Sequence, residues 1–421
     1  MTALARLVAL WKTPATVYLG ASILARAGSL LLIPLYTRRL TLEEYGFYAL
    51  FLTLLAFLST FMSAGLVAAL PRAYFSEKDR EQGKRRASEV ARWIALISIG
   101  AGAVLIAAVE CFAPDDAAPL LSRTSLRLAV LGAAGTAISV VPPVLLRSEQ
   151  RAYSAAAFQL LQFVTMTGAG LVLVLVLDRG YGGAIEAAAG APVVSGLASL
   201  VYIQTQPAGR MPLKRLQAAL RFALPFLPHF VAQWVLGAAD LWILGESGYG
   251  EQLGSYSLAA QVVVPVSMVI TAWNEHMGPE MGEHFRSGGI SEMRTHLPRV
   301  RLSYLAAALV PGIAVLLGLP LVTWLVGPAF GSAIAFVPLL LLAILPNTLY
   351  FSDFQIVYHG GRTRWIGAAT VTAAVLNLAL GLALIPPFGA YGAIAARVAG
   401  AFVRSAIVVR VAGKIIRAAP S

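Results

Sequence analysis

An all-α polytopic membrane protein, with about twelve transmembrane helices in two pseudo-symmetric six-helix bundles around a central cavity, is the fold class this sequence predicts. Three observations carry the prediction. Of 421 residues, 58% are hydrophobic and only 12% are charged, with a mean hydropathy of +0.75; a soluble domain carries roughly a quarter charged residues, so a soluble globular enzyme is excluded. The charges cluster between apolar runs of about 20 residues, the length that crosses a bilayer as helix. Stretches such as Leu96 to Val109 and Leu339 to Leu345 do not alternate, which excludes a membrane β-barrel. The third observation is an internal repeat, described below.

In chain order the spans are expected at 14–36, 45–70, 90–112, 124–146, 153–177, 183–203, 219–245, 254–274, 302–326, 334–356, 365–385 and 390–412. The first carries Arg26 and Pro34 and closes at Arg38 and Arg39. No small-residue cleavage site lies within Met1 to Lys12, so this run is expected to be a retained span. The second and third spans are separated by Arg72, Lys78, Arg80, Lys84, Arg85 and Arg86, with Arg92 just inside the third. Arg123 and Arg127 open the fourth, Arg147 and Arg151 separate it from the fifth, and Arg179 precedes the sixth. Arg210, Lys214, Arg215 and Arg221 lead into the seventh. Between the eighth and ninth lie Arg286, Arg294, Arg299 and Arg301, and before the eleventh Arg362 and Arg364; Lys414 and Arg417 follow the twelfth.

Every second loop is therefore rich in Lys and Arg, and cytoplasmic loops are the ones so enriched, which places both termini in the cytoplasm. The net charge of +12 is read as topology rather than as a nucleic-acid footprint. Prolines recur within the spans, among them Pro142, Pro143, Pro192, Pro225, Pro228, Pro311 and Pro346; each removes a backbone hydrogen bond and suits a bent helix. The loops are too short for a soluble domain.

Shifting the chain by 208 residues lays Glu43–Leu50 on Glu251–Leu258 with four of eight positions identical, and sets Pro71 on Pro279. A shift of 209 lays Gly183-Ala184-Ile185 on Gly392-Ala393-Ile394. The predicted division is an N-terminal six-helix bundle over 1–209 and a C-terminal one over 210–421. Six spans per unit is even, so both insert in the same direction, a scaffold suited to alternating access.

Charges within the hydrocarbon are costly, about 2.5 to 3.5 kcal/mol for an arginine at a span centre on insertion scales, and mark functional sites. Arg26 lies mid-span in the first; Arg397 and Arg404, seven residues apart in the twelfth, share one face and form a cationic ladder about 10 Å long. Arg410 is near the inner end and snorkels. Asp240, between Trp234 and Trp242, is the candidate intramembrane acid, either binding a coupling proton or sodium ion or neutralising Arg26 or Arg397. Asp353 and Glu110 are read as interfacial. Asn377, Gln159, Gln162, Gln233 and Gln261 line a wet cavity or bond between helices, and Asn377 is placed with the arginines as substrate-binding. His229 is read as packed. The single Cys111 cannot form an internal disulfide, and His276, His284 and His296 fit no metal template, so no metal, cofactor or catalytic set is expected.

The run Pro34-Leu35-Tyr36-Thr37-Arg38-Arg39-Leu40-Thr41-Leu42-Glu43-Glu44-Tyr45-Gly46 resembles the first outer loop of bacterial polysaccharide (O-antigen type) flippases of the multidrug/oligosaccharidyl-lipid/polysaccharide exporter superfamily. Asp240-Leu241-Trp242-Ile243-Leu244 with Gly254-Ser255-Tyr256-Ser257-Leu258-Ala259 is similar to that family's seventh and eighth spans. Gly361-Arg362-Thr363-Arg364, Asn377-Leu378-Ala379-Leu380 and Gly389-Ala390-Tyr391-Gly392-Ala393 are similar to segments around its eleventh. One departure is Leu241, where these proteins often carry a basic residue. The resemblance implies a MATE-like fold in the bacterial inner membrane. It implies movement of a polyprenyl-pyrophosphate-linked oligosaccharide from the cytoplasmic to the periplasmic leaflet, for surface polysaccharide or lipopolysaccharide biosynthesis, beside polysaccharide polymerases and glycosyltransferases. Two alternatives stand: a cation-coupled multidrug exporter of the same superfamily, which favours intramembrane acids over arginines, and a membrane polymerase or glycosyltransferase, which needs a sizeable catalytic loop.

Overall fold

The computed structural model describes residues 31–113, 120–207, 209 and 211–418. Among them there is no strand; the chain is a multi-pass bundle of helices. Arg26 and most of the first expected span lie outside the described residues, and a helical stretch over 31–39 represents the end of that span.

Two compact units divide the chain. The first comprises Met1–Leu40 and Phe47–Leu227, the second Thr41–Gly46 and Pro228–Ser421. Helix α1 (Leu42–Met62) starts in a capping box in which the Glu44 carboxylate accepts from the Thr41 N–H at 2.8 Å and Thr41 Oγ1 accepts from the Glu44 N–H at 3.2 Å.

In the first unit, a 3₁₀ turn at Leu66–Ala68 leads into α2 (Ala69–Phe75) and α3 (Arg80–Phe112), the latter capped by Asp79. The expected inner loop over 71–89 is thus largely helical, because charge ends a membrane span without ending a helix. Next come α4 (Arg123–Ser139), α5 (Val141–Ser148) with prolines in its first turn, and α6 (Ala152–Gly170), which runs into a π-helical turn at Leu171–Val176. Then follow α7 (Gly180–Thr205) and the short α8 (Leu213–Ala223). The core holds Leu66, Leu70, Ile94, Ile138, Val141 and Ile203, and α8 packs on it through Leu216, Ala219 and Leu220. That packing keeps α8 with the first unit, so the division falls at Leu227/Pro228 instead of 209/210. Helices α4 and α7 cross at backbone contact: a Cβ on Gly135 would lie 2.5 Å from the Pro192 carbonyl oxygen. Apolar side chains such as Val104, Val164, Val172 and Val201 point outward, as lipid requires.

The second unit holds α9 (Leu227–Glu246), α10 (Gly250–Val262), α11 (Val264–Leu317), α12 (Leu319–Leu325), α13 (Ala333–His359), α14 (Arg364–Phe388) and α15 (Ala390–Ala418). Gly254 packs so tightly that a Cβ there would lie 1.9 Å from the Leu42 carbonyl oxygen. The stretch Gly250–Leu317 is 68 residues long, roughly 100 Å as one helix, more than three bilayer cores. It turns back at Gly288 and Gly289, the latter at φ +65° and ψ −149°, a conformation essentially confined to glycine. Trp273 Nε1 donates to Ser303 Oγ at 3.0 Å and the Tyr304 hydroxyl donates to Asn274 Oδ1 at 2.9 Å, so the two arms lie side by side. The loop expected over 275–301 is therefore a helical hairpin, whose polar arms are supported by same-face pairs such as Glu292 and His296. Among the described residues ten stretches are long and apolar enough to cross a bilayer; with this one crossing twice and the first span outside, the count agrees with about twelve.

Candidate functional site

Helix α15 places Arg397 and Arg404 two turns apart, and both side chains line one cavity of about 220 Å³ within the second unit, together with Asn347, Ser267, Leu340 and Ile344. A water molecule needs about 10–15 Å³ of such space, so the cavity admits several waters or a phosphate-sized group.

The two arginines differ in their surroundings. Arg397 donates to Asp240 Oδ2 from Nε at 2.9 Å and approaches it from Nη2 at 2.7 Å, while Nη2 also reaches the Gly237 carbonyl at 3.2 Å. Asp240, on α9, is 2% exposed. Its Oδ2 also accepts from the Tyr256 hydroxyl of α10, and its Oδ1 accepts from the Leu241 N–H at 2.9 Å. The Arg397 guanidinium lies 5.7 Å from the Tyr256 ring centroid. A buried charge persists when it is paired and hydrogen-bonded, and this Tyr–Asp–Arg set is both.

Arg404 ion-pairs with no carboxylate among the described residues. Its Nη2 donates to Asn347 Oδ1 at 2.5 Å, its Nη1 to Gln233 Oε1 at 3.5 Å, and its guanidinium lies 4.4 Å from the Tyr350 ring centroid. The buried Nε has no partner among the described residues. Amides and an aromatic face hold the group in place without cancelling its charge, which leaves a positive centre open to an anion.

Of the residues singled out in the sequence, the structure brings Arg397, Arg404 and Asp240 together and leaves Arg26 outside the described residues. Asn377 is not at the cavity. It is 2% exposed on α14, packed against Gly400, where a Cβ would lie 3.3 Å from its own Cβ, and its Nδ2 has no partner among the described residues. A small residue on α15 draws that face of α14 inward, burying the amide between helices. Of the two roles considered for Asp240, the contacts are those of a neutralising partner of Arg397. Tyr256, Asn347 and Tyr350 escape a sequence reading based on charge; the one signal for Asn347 is an amide in the middle of the apolar run 334–356.

Asp353, read from the sequence as interfacial, is buried and paired. It is 0% exposed and accepts a bidentate pair from Arg301, Nε at 2.9 Å and Nη2 at 2.6 Å, with Ser352 Oγ donating at 2.9 Å. Glu110 is exposed and paired with Arg127.

The sequence profile of the polysaccharide biosynthesis protein family matches residues 13–276. A protein of the Lsg locus of Haemophilus influenzae is 20% identical over 381 residues, 87% of this chain and 90% of that protein. Among solved structures, an inward-facing multidrug resistance MATE family transporter of the MOP superfamily superposes with a TM-score of 0.71 at 17% identity, covering 93% of this chain and 95% of the other. The lipid II flippase MurJ in an inward closed conformation superposes with a TM-score of 0.68 at 12% identity, covering 95% and 90%. At these identities the likeness is one of fold.

Proposed function

Since this chain belongs to the polysaccharide biosynthesis protein family, we propose that it is a flippase carrying a polyprenyl-pyrophosphate-linked oligosaccharide from the cytoplasmic to the periplasmic leaflet, without catalysing a covalent step. The observation that carries the reading is the uncompensated Arg404 in a cavity it shares with Arg397. A glycan diphosphate combines negative charge with many hydroxyls, and hydrocarbon solvates neither. Arg404 meets the diphosphate charge. Asp240 and Tyr256 hold Arg397 at the neighbouring position, so the ladder presents one free and one partly compensated cation. A substrate bound too tightly would not leave, and this asymmetry keeps binding favourable but reversible. The prenyl tail stays in lipid, and the glycan crosses as the cavity alternates its exposure between the two sides. Polymerases and glycosyltransferases handling the same lipid-linked sugars are the expected neighbours, and both termini face the cytoplasm.

The multidrug-exporter reading shares the fold. It is disfavoured because the open charge in the cavity is positive, and a cationic drug would be repelled.

The test is surface-glycan display in the native host, with membrane levels of the protein measured in parallel. Arg404→Ala is expected to reduce display at least about tenfold, in line with loss of one charge-assisted contact of roughly 1.5–3 kcal/mol, and Arg404→Lys to retain part of it. Normal display from both Arg397→Ala and Arg404→Ala would rule the cationic site out.

A further inference from the structure

The hairpin at Gly288 and Gly289 assembles a cluster that no linear spacing announces. One ring nitrogen each of His284 and His296 and one carboxylate oxygen of Glu292 lie within 4.8 Å of one another. We infer that these three side chains form a binding site for a zinc-class divalent cation, which ties together the two arms of the hairpin.

Four features point to a ligand set rather than a single surface ion pair. The set draws on both arms: His284 precedes the turn, and Glu292 and His296 follow it one helical turn apart, on one face. His296 Nε2 and Glu292 Oε1 are already 3.0 Å apart, while a tetrahedral site with zinc–nitrogen and zinc–oxygen bonds of about 2.0–2.2 Å sets its ligand atoms roughly 3.3–3.6 Å apart. The third ligand atom lies no more than 4.8 Å from the other two, so side-chain torsions suffice to close the set. The two imidazoles, one from each arm, stack with centroids 3.8 Å apart and planes 13° from parallel, so the rings already meet across the turn. Finally, Glu280 Oε1 lies 4.0 Å from His284 Nε2, so a second carboxylate stands just beyond the set, in position to orient that ring.

Ligand type selects the ion. Two imidazoles and one carboxylate suit zinc and its borderline neighbours, whereas magnesium and calcium prefer all-oxygen shells. Three protein ligands leave a fourth position for water. The backbone makes the proximity: the pairs Trp273/Ser303, Asn274/Tyr304 and His284/His296 are each centred within one residue of Gly289, so the cluster sits in register with hydrogen bonds that hold the arms together further along. The site is distinct from the arginine cavity and independent of the transport reading.

The experiment is calorimetric titration of zinc chloride into untagged full-length protein in detergent, previously stripped with a chelator and shown to be monodisperse. One saturable equivalent is expected, undisturbed by millimolar magnesium. His284→Ala and His296→Ala should each weaken it at least about tenfold, and His276→Ala, which alters a neighbouring imidazole outside the set, should leave it unchanged. The three histidines are 22%, 29% and 66% exposed, so these substitutions are expected to fold, and gel filtration of each variant checks that. Absence of saturable zinc binding, or binding that survives in both His284→Ala and His296→Ala, overturns the proposal. So does equal loss in His276→Ala.

Discussion

The Asp240 carboxylate has three partners, Arg397, Tyr256 and the Leu241 N–H, and 2% exposure. Removing the charge leaves Arg397 beside a neutral amide in a place that solvates it poorly; breaking a buried pair costs about 3–5 kcal/mol, and the 24% exposure of Arg397 puts this site at the lower end. Asp240→Asn is therefore expected to lower thermal stability in detergent by several degrees. Tyr256→Phe, which deletes one hydrogen bond worth about 1 kcal/mol, should cost much less. The double variant Asp240→Asn/Arg397→Gln should recover part of the loss, because no orphaned charge remains. An Asp240→Asn protein that melts with the wild type would show that the pair holds nothing together. Charge alone in the sequence marks Arg397, Arg404 and Asp240 as worth attention, since each is costly where it lies. Charge in the sequence offered Asp240 two partners, Arg26 or Arg397, and only packing across 157 residues shows the contact with Arg397.

At the scale of elements, glycine has opposite meanings on the two helices that cross, α4 and α7. Gly135 on α4 meets the Pro192 backbone of α7, and a Cβ there would lie 2.5 Å from a carbonyl oxygen that cannot step aside. Gly190, also on α7, has nothing within 4 Å of an added Cβ. Gly135→Ala is expected to destabilise by about 1–3 kcal/mol through overpacking. Gly190→Ala is expected to stabilise by about 0.5–1 kcal/mol, because alanine loses less backbone entropy in a helix interior. Thermal unfolding of both variants measures the contrast, and a shift in the same direction would contradict the close crossing. Spans as elements were readable from hydropathy, which reports burial in lipid. Polar helices beyond the bilayer were not: α8 and the arms of the 275–301 hairpin are built from charged residues that hydropathy reads as loop, although their backbone hydrogen bonds are as helical as those in the spans.

For the whole molecule, orientation is the property most open to direct measurement. The reading that places both termini in the cytoplasm makes α3 start inside at Arg80 and end outside at Phe112, which sets Cys111 at the periplasmic face. It is the single cysteine of the chain and is exposed. A membrane-impermeant maleimide added to intact spheroplasts is expected to label it, with Cys111→Ala as the blank. Labelling that requires permeabilisation would reverse the assigned topology.

Composition and periodicity by themselves determined that this chain is a helical membrane protein of about twelve spans. They also marked intramembrane arginines as its unusual feature, because bilayer thickness and the cost of burying charge act on each segment separately. Whether a charge is free or neutralised depends on neighbours from other helices, and this only the tertiary structure decided. Arg397 and Arg404 are equivalent in the sequence, one face and two turns apart; a carboxylate from α9 compensates the first, and amides from α9 and α13 leave the second positive. The same holds for His284 and His296, twelve residues apart along the chain and 3.8 Å apart in space, because two glycines reverse the helix between them.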